Sequence, residues 1–342
     1  MNQPRRTTLR DVATAADVSV QTVSNLVNGR THLMSEVTRD RVQQAMTTLD
    51  YRPNATARGL RAGDTKALGF LVLDEDARFL ADPMTDLIMG GIGDVARERG
   101  YGLLIQAARP GDPDSGLLTP LAEHRVDGAM LLLSGSRATR RTYSKRVAAL
   151  GYPSVLFEEQ SNHAKGVYTV TAANREGART LASHLIDRGH DRIAFIAAAV
   201  PWPMIEERHA GYLQALAARG TEPADELQIF RGGWDPASGE SMAESLLSLR
   251  QPPTAIMAGN DLLAIGALRA GRVRGRRIPE DLAVAGFNNF QFSAFVEPPL
   301  STVAIPAYDM GEAAAWMLID HLEGSRPKSK EFPVELMLRG ST

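Results

Sequence analysis

The sequence predicts an α/β protein in two parts: a small N-terminal helix-turn-helix unit of three helices, then two similar lobes built on parallel sheets. Three observations predict this. Short, capped helical patterns open the chain. From Ala67 onward, apolar strand-like runs alternate with amphipathic helical stretches, the mark of parallel sheets covered on both faces. A pattern of strand, loop, helix and basic-glycine end also recurs about 125 residues after its first occurrence, in "GFLVLDEDARF…GGIGDVARERG" and "IAFIAAAVPWP…RHAGYLQALAARG".

Composition narrows the class. The 342 residues suffice for two or three domains, and 44% hydrophobic with 23% charged residues is ordinary for a globular chain. There is no cysteine, which excludes disulfides, thiolate zinc sites and cysteine nucleophiles. The start, "MNQPRRTTLRDV", has no long apolar core, and no run approaches the roughly 20 apolar residues of a membrane span, so a cytoplasmic location is expected. Net charge is only −2, yet residues 1–66 carry ten Arg/Lys against six Asp/Glu. A +4 end on a −6 remainder points to an anionic partner there.

In "TLRDVATAADVSVQTVSNLVNG", Thr8 and Asp11 form a capping-box pattern, and Val12, Ala13 and Ala16 share a helical face. Ser19 caps a second helix over Val20–Val27, whose Val23, Leu26 and Val27 face the first, and Asn28-Gly29 stops it. A third helix follows Ser35. The outward side of the second helix offers Val20, Gln21, Ser24 and Asn25, small or short polar groups able to approach base edges, the layout of a helix that enters a major groove. A small helical bundle with a polar surface has the same spacing. In "YRPNATARGLRAG", Pro53 ends the third helix and Asn54 can cap a short one too brief to stand alone. Arg58 and Arg61 can meet phosphate and Leu60 has nothing local to bury it, which suits a minor-groove wedge; a plain interdomain linker fits the same residues.

Other signals are weaker. "GIGDVA", Gly91 to Ala96, matches a dinucleotide fingerprint, but its glycines sit within a helical pattern and do not follow a strand. His184 and His190 read as a surface pair without a third ligand. No G-x-S-x-G elbow, paired catalytic carboxylates or Walker loop is present, so neither enzyme activity nor a cofactor or metal is expected.

The run "TLRDVATAADVSVQTVSNLVNG", followed by "VTRDRVQQAMTTLDYRPNATARGLRAG", resembles the DNA-binding domain and hinge of the lac repressor/galactose repressor family. "REGARTLASHLIDRGHDRIAFI", "AGNDLLAIGALRA", "LAVAGFNN", "PPLSTVAI" and "VELMLRGST" continue the resemblance to the end of the chain. It implies a helix-turn-helix domain over 1–53, a hinge helix and linker over 54–66, and over 67–342 a two-lobed, type I periplasmic-binding-protein-like effector and dimerisation domain. The lobes should comprise about 67–165 with 299–324, and 166–298 with 325–342. Crossings are expected near Lys165-Gly166, Pro298-Pro299 and Gly324-Ser325, the last two visibly marked by Pro and Gly. It further implies a homodimer on a near-palindromic operator, without the tetramer-forming tail of some members, and a small effector whose binding changes the angle between lobes, as inducer or co-repressor. The implied DNA-contacting set is Thr8, Ser19, Val20, Gln21, Thr22, Ser24, Asn25, Asn28, Arg30, Tyr51, Asn54, Ala57, Arg58 and Leu60.

The implied effector set is Met84, Glu158, Arg208, Trp234, Asn260, Asp261 and Asn288. Arg208 can offer a bidentate fork to hydroxyls or a carboxylate; Trp234 stacks on a ring or merely packs; Asn260 caps a helix, contacts ligand, or does both. Glu158 and Asn288 stand at strand ends, where ligands of open α/β sheets collect. Several residues depart from the family. Asn288 replaces an aspartate common in sugar-binding members, Ile305 a polar residue, and Met84-Thr85 an aromatic-rich loop, each making the pocket less sugar-like. A sugar or sugar derivative is the leading effector, with a nucleoside, purine or other polar metabolite next. Asp17 stands where glycine is preferred in the turn and must tolerate a left-handed backbone. Asn25 replaces a common arginine, which predicts adenine rather than guanine at one operator position. A stand-alone sugar-binding protein or an α/β enzyme remain as rivals, the first lacking a reason for the helix-turn-helix, the second lacking catalytic groups.

Overall fold

The structure, a computed structural model, describes residues 7–51, 64–74, 79–109, 116–159 and 164–342. Two compact units make up the chain, Met1–Thr65 and Lys66–Thr342. In the first, α1 (Leu9–Ala15), α2 (Val20–Val27) and α3 (Glu36–Thr48) surround a small core of Val12, Ala13, Ala16, Val23, Val42 and Ala45. Helices this short are marginal alone, so their caps matter. Thr8 and Asp11 complete the capping box, Ser19 accepts from Thr22 N–H, and Ser35 from Thr38 N–H. Asp17 takes the turn between α1 and α2 at φ 49°, the left-handed conformation its position demands.

The second unit holds two six-stranded sheets. The first comprises β1 (Ala67–Leu73), β2 (Gly102–Ala108), β3 (Gly128–Leu133), β4 (Ser154–Phe157), β5 (Val167–Ala172) and β11 (Lys330–Phe332), in the order β11-β5-β4-β3-β1-β2, all parallel. The second comprises β6 (Ile193–Ala197), β7 (Gln228–Phe230), β8 (Ala255–Ala258), β9 (Ala283–Asn288), β10 (Ser301–Ala304) and β12 (Glu335–Met337), in the order β12-β10-β9-β8-β6-β7, parallel except for β12 on β10. Central strands β1, β3, β8 and β9 are buried along almost their whole length, as helix-covered parallel strands must be.

Helices α4 (Pro83–Glu98), α5 (Thr119–Ala122), α6 (Arg137–Leu150) and α11 (Ala307–Leu322) serve the first sheet; α7 (Asn174–Asp187), α8 (Pro203–Ala218), α9 (Pro236–Leu247) and α10 (Asp261–Val273) serve the second. The α8 helix starts at Pro203, which is pre-organised for a first turn. The "GIGDVA" glycines lie inside α4. A Cβ on Gly91 would stand 2.1 Å from Tyr308 O of α11, so that glycine exists for helix contact rather than phosphate.

The crossings between sheets differ from the expected ones. Val167–Ala172 pairs with β4 and stays in the first sheet; Ser301–Ala304 pairs with β9 and belongs to the second; Lys330–Phe332 returns to the first beside β5. The chain therefore passes between lobes at Ala173-Asn174, Ile305-Pro306 and Pro333-Val334, about eight residues later than Lys165-Gly166, Pro298-Pro299 and Gly324-Ser325. The glycines and prolines mark turns that lead into one more paired strand. The hydrogen-bonded ladder, which extends beyond the turn, decides where the chain leaves.

Candidate functional site

In the N-terminal unit the second helix presents a built face. Val23 is buried, whereas Val20 and Gln21 are exposed and Asn25 is half-exposed. Gln21 Nε2 donates to Asn25 Oδ1 at 3.1 Å, pairing two amides that could each address base edges. Ser19 and Thr22 are committed to the cap, their hydroxyls 2.9 Å apart, and Thr8 to its own. Asn28 and Arg30 are exposed beyond the helix end, and Tyr51 is half-buried against the small core. Ser24 corrects the sequence reading: it is 7% exposed and accepts from Asn28 Nδ2 at 3.3 Å, because its position falls on the flank that packs inward. Asn54, Ala57, Arg58 and Leu60 lie outside the described residues.

In the second unit a cavity of about 280 Å³ opens at the strand ends. Its apolar wall includes Met84, Leu132, Trp202, Met204, Ile205, Trp234 and Leu262; its polar wall, Asp74, Asp82, Thr85, Arg208, Asp235, Asn260 and Asn288. Several of the polar groups are placed by an end of an element. Asp82 and Asp235 cap α4 and α9, Asn260 caps α10 through Leu263 N–H at 2.8 Å, and Asn288 ends β9 at φ 108°. Strain of that kind persists only where surroundings over-determine it.

Those surroundings centre on Arg208. Fully buried, it donates from Nε to Asn174 Oδ1 at 2.8 Å, from Nη1 to Gly259 O at 2.6 Å and from Nη2 to Asn288 Oδ1 at 2.9 Å, and its guanidinium lies 3.9 Å over the Phe287 ring. Burial draws its pKa down to about 9, against the pull of Glu158, Asp261 and Asp82. Burial likewise pushes Glu158 and Asp261 up to about 7, opposed by their hydrogen bonds and by Arg208. The result is one buried cation balanced by buried acids, with amides between them.

Five sequence-predicted effector residues, Met84, Arg208, Trp234, Asn260 and Asn288, come together on the cavity wall. Two do not. Glu158 is turned behind Asn174: its Oε2 accepts from Asn174 Nδ2 at 2.9 Å and Ala172 N–H at 3.3 Å, closing the junction where the first crossing leaves β5. Asp261 is completely buried, accepting from Phe290 N–H at 2.7 Å and Thr302 Oγ1 at 2.6 Å, a brace between α10 and the β9 end. Sequence reasoning missed Trp202, Asp74, Asp82, Asp235 and the linking Asn174. For Trp202 a signal existed, "PWP" directly after an apolar strand run; Asn174 gave none, since its role needs the folded crossing.

The comparisons with known proteins agree with this layout. Residues 8–54 match the model described as "Bacterial regulatory proteins, lacI family", and residues 182–342 match the periplasmic binding protein-like domain. The chain is 32% identical over 99% of its length to the HTH-type transcriptional repressor CytR of Escherichia coli (strain K12), covering 97% of that protein. Among solved structures it is similar to a transcriptional regulator CelR-cellobiose complex, at 31% identity and TM-score 0.72 over 98% of this chain and all of that one. It is also similar to a lac repressor dimer bound to operator and an anti-inducer, at 26% identity and TM-score 0.86 over 98% and 99%. The chain belongs to the lacI family of bacterial regulatory proteins.

Proposed function

We propose that this protein is a sequence-specific repressor that reads a near-palindromic operator as a homodimer through the exposed face of α2, and releases or grips it according to a small molecule bound between its lobes. The observation that carries the reading is a doubly capped eight-residue helix that buries Val23 while leaving Val20, Gln21 and Asn25 accessible. Asn25 suits adenine, while Arg58 and Leu60 serve phosphate contact and wedge. The protein binds rather than catalyses in this reading.

The effector is read as uncharged and ring-shaped. Asp74, Asp82 and Asp235 make the wall acidic, and the one arginine there is already engaged by Asn174, Gly259 and Asn288. Among the described residues, a phosphorylated ligand would meet repulsion without a free counter-cation. Trp202 and Trp234 offer apolar faces, and among the described residues Trp234 Nε1 is buried without a hydrogen-bond partner, a donor left for a ligand acceptor. A sugar or sugar derivative fits, consistent with the similar CelR-cellobiose complex. The two tryptophans favour a nucleoside as the second reading.

The test selects duplexes from a randomised pool with wild type and Leu60→Ala side by side, then challenges the bound operator with neutral sugars, nucleosides and sugar phosphates. An enriched palindrome weakened by Leu60→Ala, and released or tightened by a neutral ligand alone, is expected. No enrichment at low salt would overturn the repressor reading, and a response to sugar phosphates would overturn the effector class.

A further inference from the structure

At the edge of the cleft a second buried arginine is shared between lobes. Arg140 of α6 is 2% exposed. Within its own lobe it donates from Nε to Glu159 Oε1 and from Nη1 to the Gly135 carbonyl, both at 2.6 Å. Its fork closes on the other lobe, where Nη1 and Nη2 donate to Glu206 Oε1 and Oε2 at 3.0 and 3.1 Å. Beside this pair Gly135 N–H donates to Pro201 O at 2.8 Å. Together these contacts tie the turn after β3 to residues 201–206, the start of α8.

The same short segments supply cavity wall. Leu132 lies three residues before Gly135; Trp202, Met204 and Ile205 stand between Pro201 and Glu206; Arg208 follows two residues on. Whatever fixes Glu206 against the first lobe therefore seats that wall over the cavity. The partners are also unequal. A buried charge stripped of its partner is costly, but Arg140 keeps Glu159 in its own lobe, and Glu206, whose side chain is 46% exposed, can pass into water. The pair can open without stranding a buried charge, which a static core ion pair cannot do.

We propose that Arg140 and Glu206, with Glu159, are positioning residues: an ionic clasp that holds the two lobes closed over the cavity and sets how readily the cleft opens to admit an effector. The proposal rests on the effector reading for what closure serves, but the clasp is testable without effector or DNA. Because the chain has no cysteine, two can be introduced at exposed Lys145 of α6 and Glu244 of α9, spin-labelled, and the distance between lobes measured by pulsed electron paramagnetic resonance on the full-length protein.

Arg140→Ala and Glu206→Gln are each expected to raise the ratio of long to short distances roughly tenfold, a shift in a two-state population. The double variant should go no further than either single one, since both remove one interaction. Raising NaCl from about 0.05 to about 1 M should shift wild type toward the long distance and leave Glu206→Gln unmoved. Arg140→Lys, keeping charge but losing the fork, should fall between wild type and Arg140→Ala. If Arg140→Ala misfolds, Glu206→Gln and the salt series decide, because Arg140 then retains Glu159. Unchanged distributions, or shifts that add in the double variant, would overturn the clasp. Operator selection on the same samples keeps the readings apart: no selection with a working clasp sinks the repressor reading, and intact selection with unmoved distances sinks the clasp.

Discussion

The N-terminal unit and the cleft are built on opposite scales. In the first, every helix N-cap closes within three residues of its own position: Thr8 with Asp11, Ser19 with Thr22, Ser35 with Thr38. In the second, Arg208 takes its partners 34, 51 and 80 residues away, at Asn174, Gly259 and Asn288. Local contacts of that kind contribute separately. A buried polar network shares its members, so losing one strands the others. The DNA-reading unit can therefore be retuned residue by residue, while the cleft responds as a whole.

Arg208→Leu should be the most damaging single change. It leaves three buried acceptors unpaired and removes the cation opposing Glu158 and Asp261, a loss of about 3 to 5 kcal/mol by analogy with broken buried pairs. Urea unfolding measures it, and Asn174→Ala in the same background should add little. Full additivity would show the cluster to be a sum of independent bonds.

The same cluster should make stability depend on pH. Burial holds Glu158 up at about 7 against 4.5 for the free group, so the folded chain keeps this proton more tightly than the unfolded one. Its contribution is fully present below about pH 4.5 and is lost as pH rises through about 7, at most about 3 kcal/mol over that interval. Unfolding midpoints at pH 5 and pH 8 should therefore differ, and Glu158→Gln should flatten the slope, leaving the part due to Asp261, whose shift has the same sign. A slope unaltered by that substitution would show that Glu158 titrates in contact with water.

A smaller effect separates the two glycines of "GIGDVA". Gly91→Ala drives a methyl into Tyr308 O and should cost about 1 to 3 kcal/mol, whereas around Gly93 a Cβ meets nothing within 4 Å, so Gly93→Ala should be neutral or stabilise by about 0.5 to 1 kcal/mol. Thermal midpoints of the two variants decide. Equal effects would remove the helix-contact account of Gly91.

These cases also show what was legible in the sequence. Caps, the left-handed Asp17 and the alternation of strand and helix depend on neighbours a few residues apart, so they could be read directly. Five of the seven effector residues came from resemblance and do reach the wall. Glu158 and Asp261 did not, because a polar side chain at a strand or helix end can turn toward the cavity or brace the crossing behind it, and only the fold decides. The displaced crossings have the same origin: Gly166 and Pro299 signal a turn, but whether one more strand pairs afterwards depends on a partner far along the chain. Ser24 failed more locally, by a small rotation about the α2 axis that no residue type announces.

Ser19→Ala should cost about 1 kcal/mol of N-terminal unit stability, the usual worth of such a cap, and leave the cleft untouched. Asn25→Arg should barely alter stability, within about 0.5 kcal/mol, since the side chain is half-exposed. Its consequence lies in base choice. Asn offers adenine a paired acceptor and donor, arginine offers guanine two donors, and each match discriminates by about 1 to 3 kcal/mol. In wild type, Asn25 Oδ1 accepts from Gln21 Nε2 and keeps a second lone pair for a base, so Gln21→Ala, which removes that support, should leave the adenine preference in place while weakening all sites evenly. Sequencing duplexes retained from a randomised pool checks all three proteins at once. Guanine enriched by wild type and Asn25→Arg alike would show that the position reads nothing, and a changed effector response in Asn25→Arg would show that the DNA-reading unit is not separately tunable after all.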